Sequence, residues 1–342
     1  MTELSGPLGP LLCLREVAVT YRGRDGEAVQ AVRGASISVH AGEIVGLVGE
    51  SGCGKSSLGR AAVGLEGLSA GSVTFKGQPV PTLGRGTRPV AFRPLQALFQ
   101  NPYSSLNPRR KVGHQLADGL RASGEAKTGA RISALLAMVS MPASAADRYP
   151  HEFSGGQRQR LAIARVLAAR PSVLVADEPV SALDASAQAA IVTLLRELRE
   201  QTGIGILFIS HDLGVVRQIA QRVAVMYLGK IVESGPIGAV WGEPRHPYTS
   251  ALIAAAPVAD GAGRLPLGLA GEVPNPSAPP PGCSFHPRCP IAEVRCRAVD
   301  PPSLAVGGGQ EARCLFACDG TSMSQGSREP TVARGGNYEQ LP

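Results

Sequence analysis

Two hydrophobic periods alternate along this 342-residue chain, and each predicts a different kind of element. In residues 12–21 (LCLREVAVTY) apolar and polar positions alternate, which is the period of a half-buried strand. The short runs SISV and EIVGLV are rich in β-formers, and GSVTFKG has the form of one side of a hairpin. Residues 11 to about 80 are therefore predicted to be strands joined by turns.

A helical period begins near residue 101. HQLADGLRASG and ISALLAMVSM predict two helices of an insertion, and SGGQRQRLAIARVLAAR predicts a third helix from Ser154. SVLVAD and IGILFIS predict buried strands, and VAVMYLGKIVESG predicts a hairpin around Gly229. Between the two strands, a helix face is marked by Ile191, Leu194, Leu195 and Leu198. Strands that alternate with helices predict an α/β fold with a mainly parallel sheet.

Composition limits what the chain can be. No apolar run reaches the roughly 18 residues that a membrane span needs, and the first residues lack the basic start and cleavage site of a signal peptide. We therefore expect a cytoplasmic protein whose membrane role needs a separate partner. The formal net charge of +7 comes without a basic run, which favours an ordinary basic surface over a nucleic-acid site.

A phosphate-binding loop follows the strand EIVGLV and precedes a helix. Its glycines let backbone N–H groups turn inward around phosphates, while Lys55 is expected to reach the β- and γ-phosphates and Ser56 to hold Mg²⁺. This strand–loop–helix order matches GxxxxGKS/T and predicts an ATP-binding loop made of Gly49, Glu50, Ser51, Gly52, Cys53, Gly54, Lys55, Ser56 and Ser57.

Two further segments point to the same chemistry. Asp177 and Glu178 end a buried strand, where a carboxylate can face the metal from the side opposite the loop. Ser154 opens a helix with the sequence SGGQ, and the free N–H groups of a helix start favour an anion. Tyr21, at a strand end, is a candidate to stack on adenine, although such a tyrosine is more often a packing residue.

These motifs in this order resemble the ATPase subunit of an ATP-binding-cassette (ABC) transporter, in which two cassettes close around two ATP molecules. The resemblance implies catalytic roles for Glu178 as general base, for the switch histidine His211, and for Gln100, which touches Mg²⁺ and the attacking water. It implies that Asp177 orients Mg²⁺ through water. It also assigns an interface with the ATP of the other cassette to Ser154, Gly155, Gly156, Gln157 and Asp184; Phe153 stands where the family usually has leucine.

Longer stretches narrow the resemblance over residues 11–318. FQNPYSSLNPR, DEPVSALD, HPYTSALIAAAP and GCSFHPRCP are similar to the ATP-binding subunits of oligopeptide/dipeptide (and nickel) importers, and the first two favour the F-type cassette over its D-type companion. The resemblance implies a D-type cassette, two membrane permease subunits and an extracytoplasmic solute-binding protein as partners at the cytoplasmic face of the membrane. Nickel or another solute remains an alternative cargo, and a soluble ABC protein of translation or DNA repair is a further alternative.

Five of the seven cysteines crowd the last fifth of the chain. In a reducing cytosol such a cluster predicts a metal site before it predicts disulfides. Five, six and seventeen residues separate Cys283, Cys289, Cys296 and Cys314, and four thiolates suit an iron–sulfur cluster or zinc. By resemblance this spacing implies a 4Fe-4S cluster, while zinc and free thiols remain alternatives. Arg313 makes a weak lead-in to the fourth cysteine, and Cys318 lies outside the pattern.

The predicted organisation has three parts. Residues 11–240 form the ATPase cassette, with a helical insertion over about 101–165. Residues 241–318 form a small irregular, cysteine-rich extension, since GEVPNPSAPPPG cannot be regular structure. Residues 319–342, rich in Gly, Ser and Arg, are expected to be a disordered tail.

Overall fold

A computed structural model describes residues 9–23, 27–84, 86–100, 105–125, 128–256 and 271–317. The strands in this part of the chain are β1 Leu12–Arg22, β2 Ala28–Val39, β3 Ile44–Val48, β4 Ala70–Phe75, β5 Gln78–Pro79, β6 Leu95–Leu98, β7 Val173–Asp177, β8 Gly205–Ser210, β9 Arg222–Tyr227, β10 Lys230–Pro236, β11 Leu304–Gly307 and β12 Gln310–Ala312. The helices are α1 Lys55–Ala62, α2 Val112–Ala122, α3 Gly129–Met138, α4 Gly155–Ala168, α5 Ala185–Thr202, α6 Leu213–Ile219, α7 Ile237–Gly242, α8 Pro247–Ala255 and α9 Val294–Ala298.

The first sheet is antiparallel and has the order β2-β1-β4-β5. The alternation predicted for residues 12–21 is present, because Leu12, Leu14, Val17 and Val19 all point into the core and are at most 1% exposed. A bulge between Leu14 and Val17 interrupts the strict period. These side chains pack with α1 and with one face of the second sheet in a single apolar cluster, so the antiparallel sheet lies over the first helix.

The second sheet has the order β11-β12-β10-β9-β3-β8-β7-β6. Its central strands run parallel: β3 lies between β8 and β9, and β7 lies between β8 and β6. Strands β3, β7 and β8 are buried along their whole length, which explains their continuous apolar sequences. The predicted hairpin around Gly229 is confirmed, since β9 and β10 pair antiparallel with Lys230 opposite Tyr227.

The helical insertion contains the two helices expected from its pattern, α2 and α3, which pack against α4. Their apolar faces belong to a second apolar cluster, on the other face of the second sheet's strands, where Leu116 and Leu136 are fully buried. The predicted face of α5 is also confirmed: the four residues of its 3–4–7 pattern are at most 2% exposed. The insertion is thus joined to the core sheet through the long helices α4 and α5.

The C-terminal extension is more regular than the sequence predicted. Residues 271–282 contain no helix or strand, as expected, but α9 and the hairpin β11–β12 follow. The hairpin turn runs through Gly307, Gly308 and Gly309, all with positive φ. Strands of three or four residues around a glycine run carry too little alternation to be recognised, yet β12 pairs with β10 and extends the core sheet. The predictions for Cys318 and for residues 319–342 lie outside the described residues.

No helix in the described ranges combines the length and the apolar character that crossing a membrane requires.

Candidate nucleotide-binding site

The predicted ATP-site residues meet at one edge of the parallel sheet. Strand β3 runs into the phosphate loop, β7 ends at Asp177, and His211 follows the last residue of β8. Because these three strands are parallel neighbours, their carboxyl ends lie side by side. The topology therefore brings residues from three distant parts of the sequence to one place.

Two glycines let the phosphate loop pass between neighbouring backbones. A Cβ atom on Gly49 would lie 2.1 Å from the carbonyl oxygen of Met226, and one on Gly54 would lie 2.1 Å from that of Ala31. Gly54 also has a φ of 105°, which L-residues rarely adopt. A side chain at either position would push the loop out of its place beneath the antiparallel sheet.

Lys55 begins α1 and is held inside the loop. Its ammonium donates to the carbonyl oxygens of Gly49 at 2.7 Å and Glu50 at 2.8 Å. Lys55 is buried, with only 5% of the residue exposed. Its charge is therefore held inside the loop at the start of α1. Cys53 is buried in the same loop, and burial raises the pKa of its thiol.

Asp177 and Ser56 form a direct pair across the site. The Ser56 hydroxyl donates to Oδ1 of Asp177 at 3.1 Å. Burial raises the pKa of Asp177, and the neighbouring charge of Glu178 raises it further, while the Ser56 hydrogen bond opposes both. A hydroxyl and a carboxylate are oxygen ligands of the kind that Mg²⁺ prefers, so the donor set fits the ion.

Glu178 is the centre of a small hydrogen-bonded group. Oε2 accepts from Nε2 of Gln100 at 3.1 Å, and Oε1 lies 3.2 Å from Nδ1 of His211. Its backbone is left-handed, with a φ of 48°, a conformation that costs a non-glycine residue of order 1–3 kcal/mol. A hydrogen bond from its N–H to the carbonyl of Ile209 holds it there. The three residues given catalytic roles are thus in direct contact.

Ser181 joins this group and was not predicted. Its hydroxyl donates to the carbonyl oxygen of Glu178 at 3.1 Å, and it lies 3.3 Å from Nε2 of Gln100. It belongs to the DEPVSALD stretch, but a serine in a turn has no sequence feature that identifies such a contact.

Tyr21 lies at the end of β1 above the start of α1. Its hydroxyl donates to Oγ of Ser57 at 3.2 Å, and partial burial raises the pKa of the phenol. The ring is therefore anchored beside the phosphate loop, and adenine stacking stays a prediction.

The SGGQ turn is a capped helix start that is largely exposed. Ser154 caps α4 in a reciprocal pair: its Oγ accepts from the Gln157 N–H, and its own N–H donates to Oε1 of Gln157 at 3.0 Å. Asp184 caps α5 with a single hydrogen bond, which its carboxylate accepts from the Ala187 N–H. In the described residues no hydrogen bond links 154–157 to 49–57, and the role of this helix start towards ATP stays a prediction.

Four of the extension's five cysteines, Cys283, Cys289, Cys296 and Cys314, line one cavity of about 10 Å³. Burial raises the pKa of Cys289 to about 11 and raises those of Cys283 and Cys314, with the neighbouring thiols adding to each shift. In the described ranges, however, no three Cys, His, Asp or Glu side chains stand close enough together to hold a metal ion. The donor chemistry fits a thiolate-bound centre, but the spacing of the sulfur atoms is not that of a formed site, and the expected iron–sulfur cluster is not confirmed.

Comparisons with known proteins agree with this geometry. Residues 32–181 match the ABC transporter family, and residues 232–296 match the C-terminal region of oligopeptide/dipeptide transporters. The chain is 49% identical to the probable peptide ABC transporter ATP-binding protein y4tS of Sinorhizobium fredii, over 84% of this chain and 82% of that one. It is 44% identical to the di/tripeptide transport ATP-binding protein DppF of Pseudomonas aeruginosa, over 84% and 90%.

The chain belongs to the ABC transporter ATP-binding proteins of the oligopeptide/dipeptide importer family. It is an ABC ATPase, whose hydrolysis of ATP is coupled to transport within a transporter complex. The dimeric ATP-binding cassette MJ0796, solved with ADP and phosphate, has the same fold: it is 27% identical with a TM-score of 0.59, over 66% of this chain and 98% of that one. The α/β fold predicted from the sequence is thereby confirmed.

Replacing Lys55 by alanine should weaken ATP binding about tenfold or more, because a charge-assisted contact of about 1.5–3 kcal/mol would be lost. The dissociation constant of a fluorescent ATP analogue measures this. Lys76→Ala, which removes an exposed lysine after β4 and outside the predicted ATP-site residues, is the matched control. Equal affinity of the Lys55→Ala protein and the wild type would contradict the assignment.

Proposed function

We propose that this chain is the F-type cassette of an importer for di- or oligopeptides. The observation that carries the proposal is the convergence of the phosphate loop, Asp177, Glu178 and His211 at one sheet edge, in a chain whose C-terminal region matches the oligopeptide/dipeptide transporters. The names of y4tS and DppF support a peptide as the cargo. Nickel is the alternative cargo within the same class.

In the proposed mechanism Glu178 is the general base. It would take a proton from the attacking water, and its contacts with Gln100 and His211 orient it for that task. Lys55 would turn from the loop carbonyls to the β- and γ-phosphates. Mg²⁺, held by Ser56, Gln100 and Asp177, would supply charge neutralisation at the phosphates. His211 would sense the γ-phosphate while its ring contacts the carboxylate of Glu178, the general base.

We infer that the chain acts as one half of a cassette pair. The residues from Ser154 to Gln157, with Asp184, would contact the γ-phosphate of ATP bound on the partner, because a capped helix start offers N–H groups to an anion. The exposure of Ser154, Gly155 and Gln157 supports this arrangement, because a partner cassette can reach them. The expected partner is a D-type cassette, so the functional unit would be a heterodimer.

The remaining partners follow from the transporter context. Two membrane permease subunits would hold the pair at the cytoplasmic face of the membrane, and an extracytoplasmic solute-binding protein would deliver the peptide. An open groove of about 820 Å³ lies between the core sheet and the helical insertion. Arg109, Arg110 and Arg165 line it together with Leu106 and Pro108, so a permease segment bound there would meet both charged and apolar side chains.

We also propose that the cysteine cavity binds a 4Fe-4S cluster through Cys283, Cys289, Cys296 and Cys314. Support comes from four thiols around one cavity and from the soft-ligand preference of iron–sulfur centres. The raised pKa values of Cys283, Cys289 and Cys314 mean that deprotonation would have to accompany metal binding, because a metal ligand must be the thiolate.

The Glu178→Gln variant should abolish ATP-driven peptide uptake while it retains ATP binding, since the amide cannot accept the proton. Uptake of a labelled dipeptide into vesicles that hold the assembled transporter, with ATP hydrolysis measured in parallel, tests both the base and the cargo. Glu197→Gln, on an exposed face of α5, is the control. Wild-type hydrolysis by Glu178→Gln would refute the base, whereas peptide-independent nickel uptake by the wild type would refute the cargo.

Ser154→Arg should block hydrolysis at the partner's phosphate loop and leave ATP binding to this chain unchanged, because the arginine would fill the place of the γ-phosphate. In the test, the Ser154→Arg protein or the wild type is mixed with a partner cassette. ATP bound to this chain and phosphate released by the pair are then measured for both mixtures. The matched control is Ser140→Arg, in the turn after α3, which lies outside the SGGQ turn and the phosphate loop. Unimpaired hydrolysis by the Ser154→Arg pair would contradict the shared-site arrangement.

Protein purified without exposure to air should contain iron and sulfide in equal amounts, about four of each per chain. Cys289→Ser should lose both, because a hydroxyl is a poor ligand for iron, while Cys13→Ser should retain them. Elemental analysis and acid-labile sulfide assays measure the result. Zinc without iron would replace the cluster by a zinc site, and protein free of both metals would refute a metal centre.

A further inference from the structure

The C-terminal extension touches the phosphate loop directly through Arg288. Its guanidinium donates to both carboxylate oxygens of Glu50, from Nη1 to Oε2 at 2.7 Å and from Nη2 to Oε1 at 3.0 Å. Glu50 is the second residue of the loop. The Arg288 side chain is 3% exposed and that of Glu50 is 20% exposed, so the pair is sheltered from water. Paired, two-pronged contacts of this type fix orientation as well as charge.

Tyr248 of α8 holds the same loop residue by its backbone. Its hydroxyl accepts a hydrogen bond of 2.8 Å from the Glu50 N–H. Tyr248 is fully buried, and its ring packs against Tyr227 and Phe285 with centroid distances of 4.6 and 5.4 Å. Because this packing fixes the ring, the hydroxyl forms a rigid support for the loop.

Glu50 is consequently held at three points. Arg288 binds its side chain, Tyr248 binds its N–H, and the ammonium of Lys55 binds its carbonyl oxygen. Two of the three contacts come from the extension, whose residues lie 198 and 238 positions away in the sequence. Only the contact with Lys55 would change when that side chain turns to the phosphates.

We propose that Tyr248 and Arg288 are positioning residues for ATP binding, which keep the phosphate loop in its binding conformation. Neither residue need touch the nucleotide. With the loop held in advance, ATP binding does not have to order it, and affinity is higher for that reason. The extension therefore contributes to the nucleotide site by holding the phosphate loop in place.

The test compares Arg288→Ala and Tyr248→Phe with wild type in the assembled transporter. Each should raise the ATP dissociation constant and KM about tenfold, which corresponds to ~1.4 kcal/mol, with kcat changed less than about twofold. Asp300→Asn is the matched control: it breaks the ion pair with Lys230, which also ties the extension to the cassette but does not touch the loop. ATP affinity of Asp300→Asn should equal that of wild type.

A double-mutant cycle separates positioning from general stability. If Arg288 acts through Glu50, then Glu50→Ala combined with Arg288→Ala should bind ATP no more weakly than the worse single variant. Arg288→Lys, which retains the charge but not the two-pronged contact, should recover part of the affinity. Tyr248→Phe removes a single hydroxyl and keeps the ring, so it tests the proposal even if Arg288→Ala does not fold. Unchanged affinity in folded Tyr248→Phe and Arg288→Ala, additive losses in the cycle, or a loss confined to kcat would each overturn the proposal.

Discussion

The site depends on the parallel pairing of β3 with β8 and of β8 with β7. That pairing places the phosphate loop beside the ends of the two strands that carry Asp177 and His211. Glu178 then needs one further constraint, a left-handed backbone held by the Ile209 carbonyl, to turn its carboxylate towards Gln100 and His211. A slip in the register of β7 on β8 would move Asp177 away from Ser56 and would separate the metal-binding and base functions. The packing of the buried side chains on these strands resists such a slip, because a shift of one residue would turn every side chain to the opposite face of the sheet.

The α/β fold, the phosphate loop and the acidic strand end could be recognised in the sequence because each is a local pattern, whereas the role of His211 rests on the resemblance to the family. A glycine-rich turn between a strand and a helix, or a carboxylate after an apolar run, needs no tertiary information to be recognised. The contacts of Ser181, Tyr248 and Arg288 could not be predicted in the same way. The contacts of Tyr248 and Arg288 with Glu50, and that of Ser181 with Gln100, join segments that are far apart in sequence. Their local patterns (a helix-start tyrosine, an arginine before a cysteine, a turn serine) have no single structural meaning. The hairpin β11–β12 was missed because its strands are too short to show a period.

The extension is built into the cassette at several places. Strand β12 continues the core sheet, and the buried carboxylate of Glu233 accepts hydrogen bonds from the N–H groups of Arg245 and His246 and from Gln310. Burial raises the pKa of Glu233, and it lowers the pKa of His246 to about 3, so the imidazole is neutral and accepts from the Tyr248 N–H. This polar network fixes the start of α8. It thereby fixes the hydroxyl that supports the phosphate loop, and it links the region typical of peptide importers to the chemistry common to ABC ATPases.

We propose that the chain carries the parts of two half-sites: a phosphate loop and base for its own ATP, and a capped helix start for the ATP of a second cassette. The most direct measurement is ATPase activity per chain as a function of the concentration of a second cassette, with the fraction of paired cassettes followed by light scattering. We expect the ATPase activity per chain to rise in proportion to the fraction of paired cassettes. Full activity at concentrations where every chain is monomeric would contradict it.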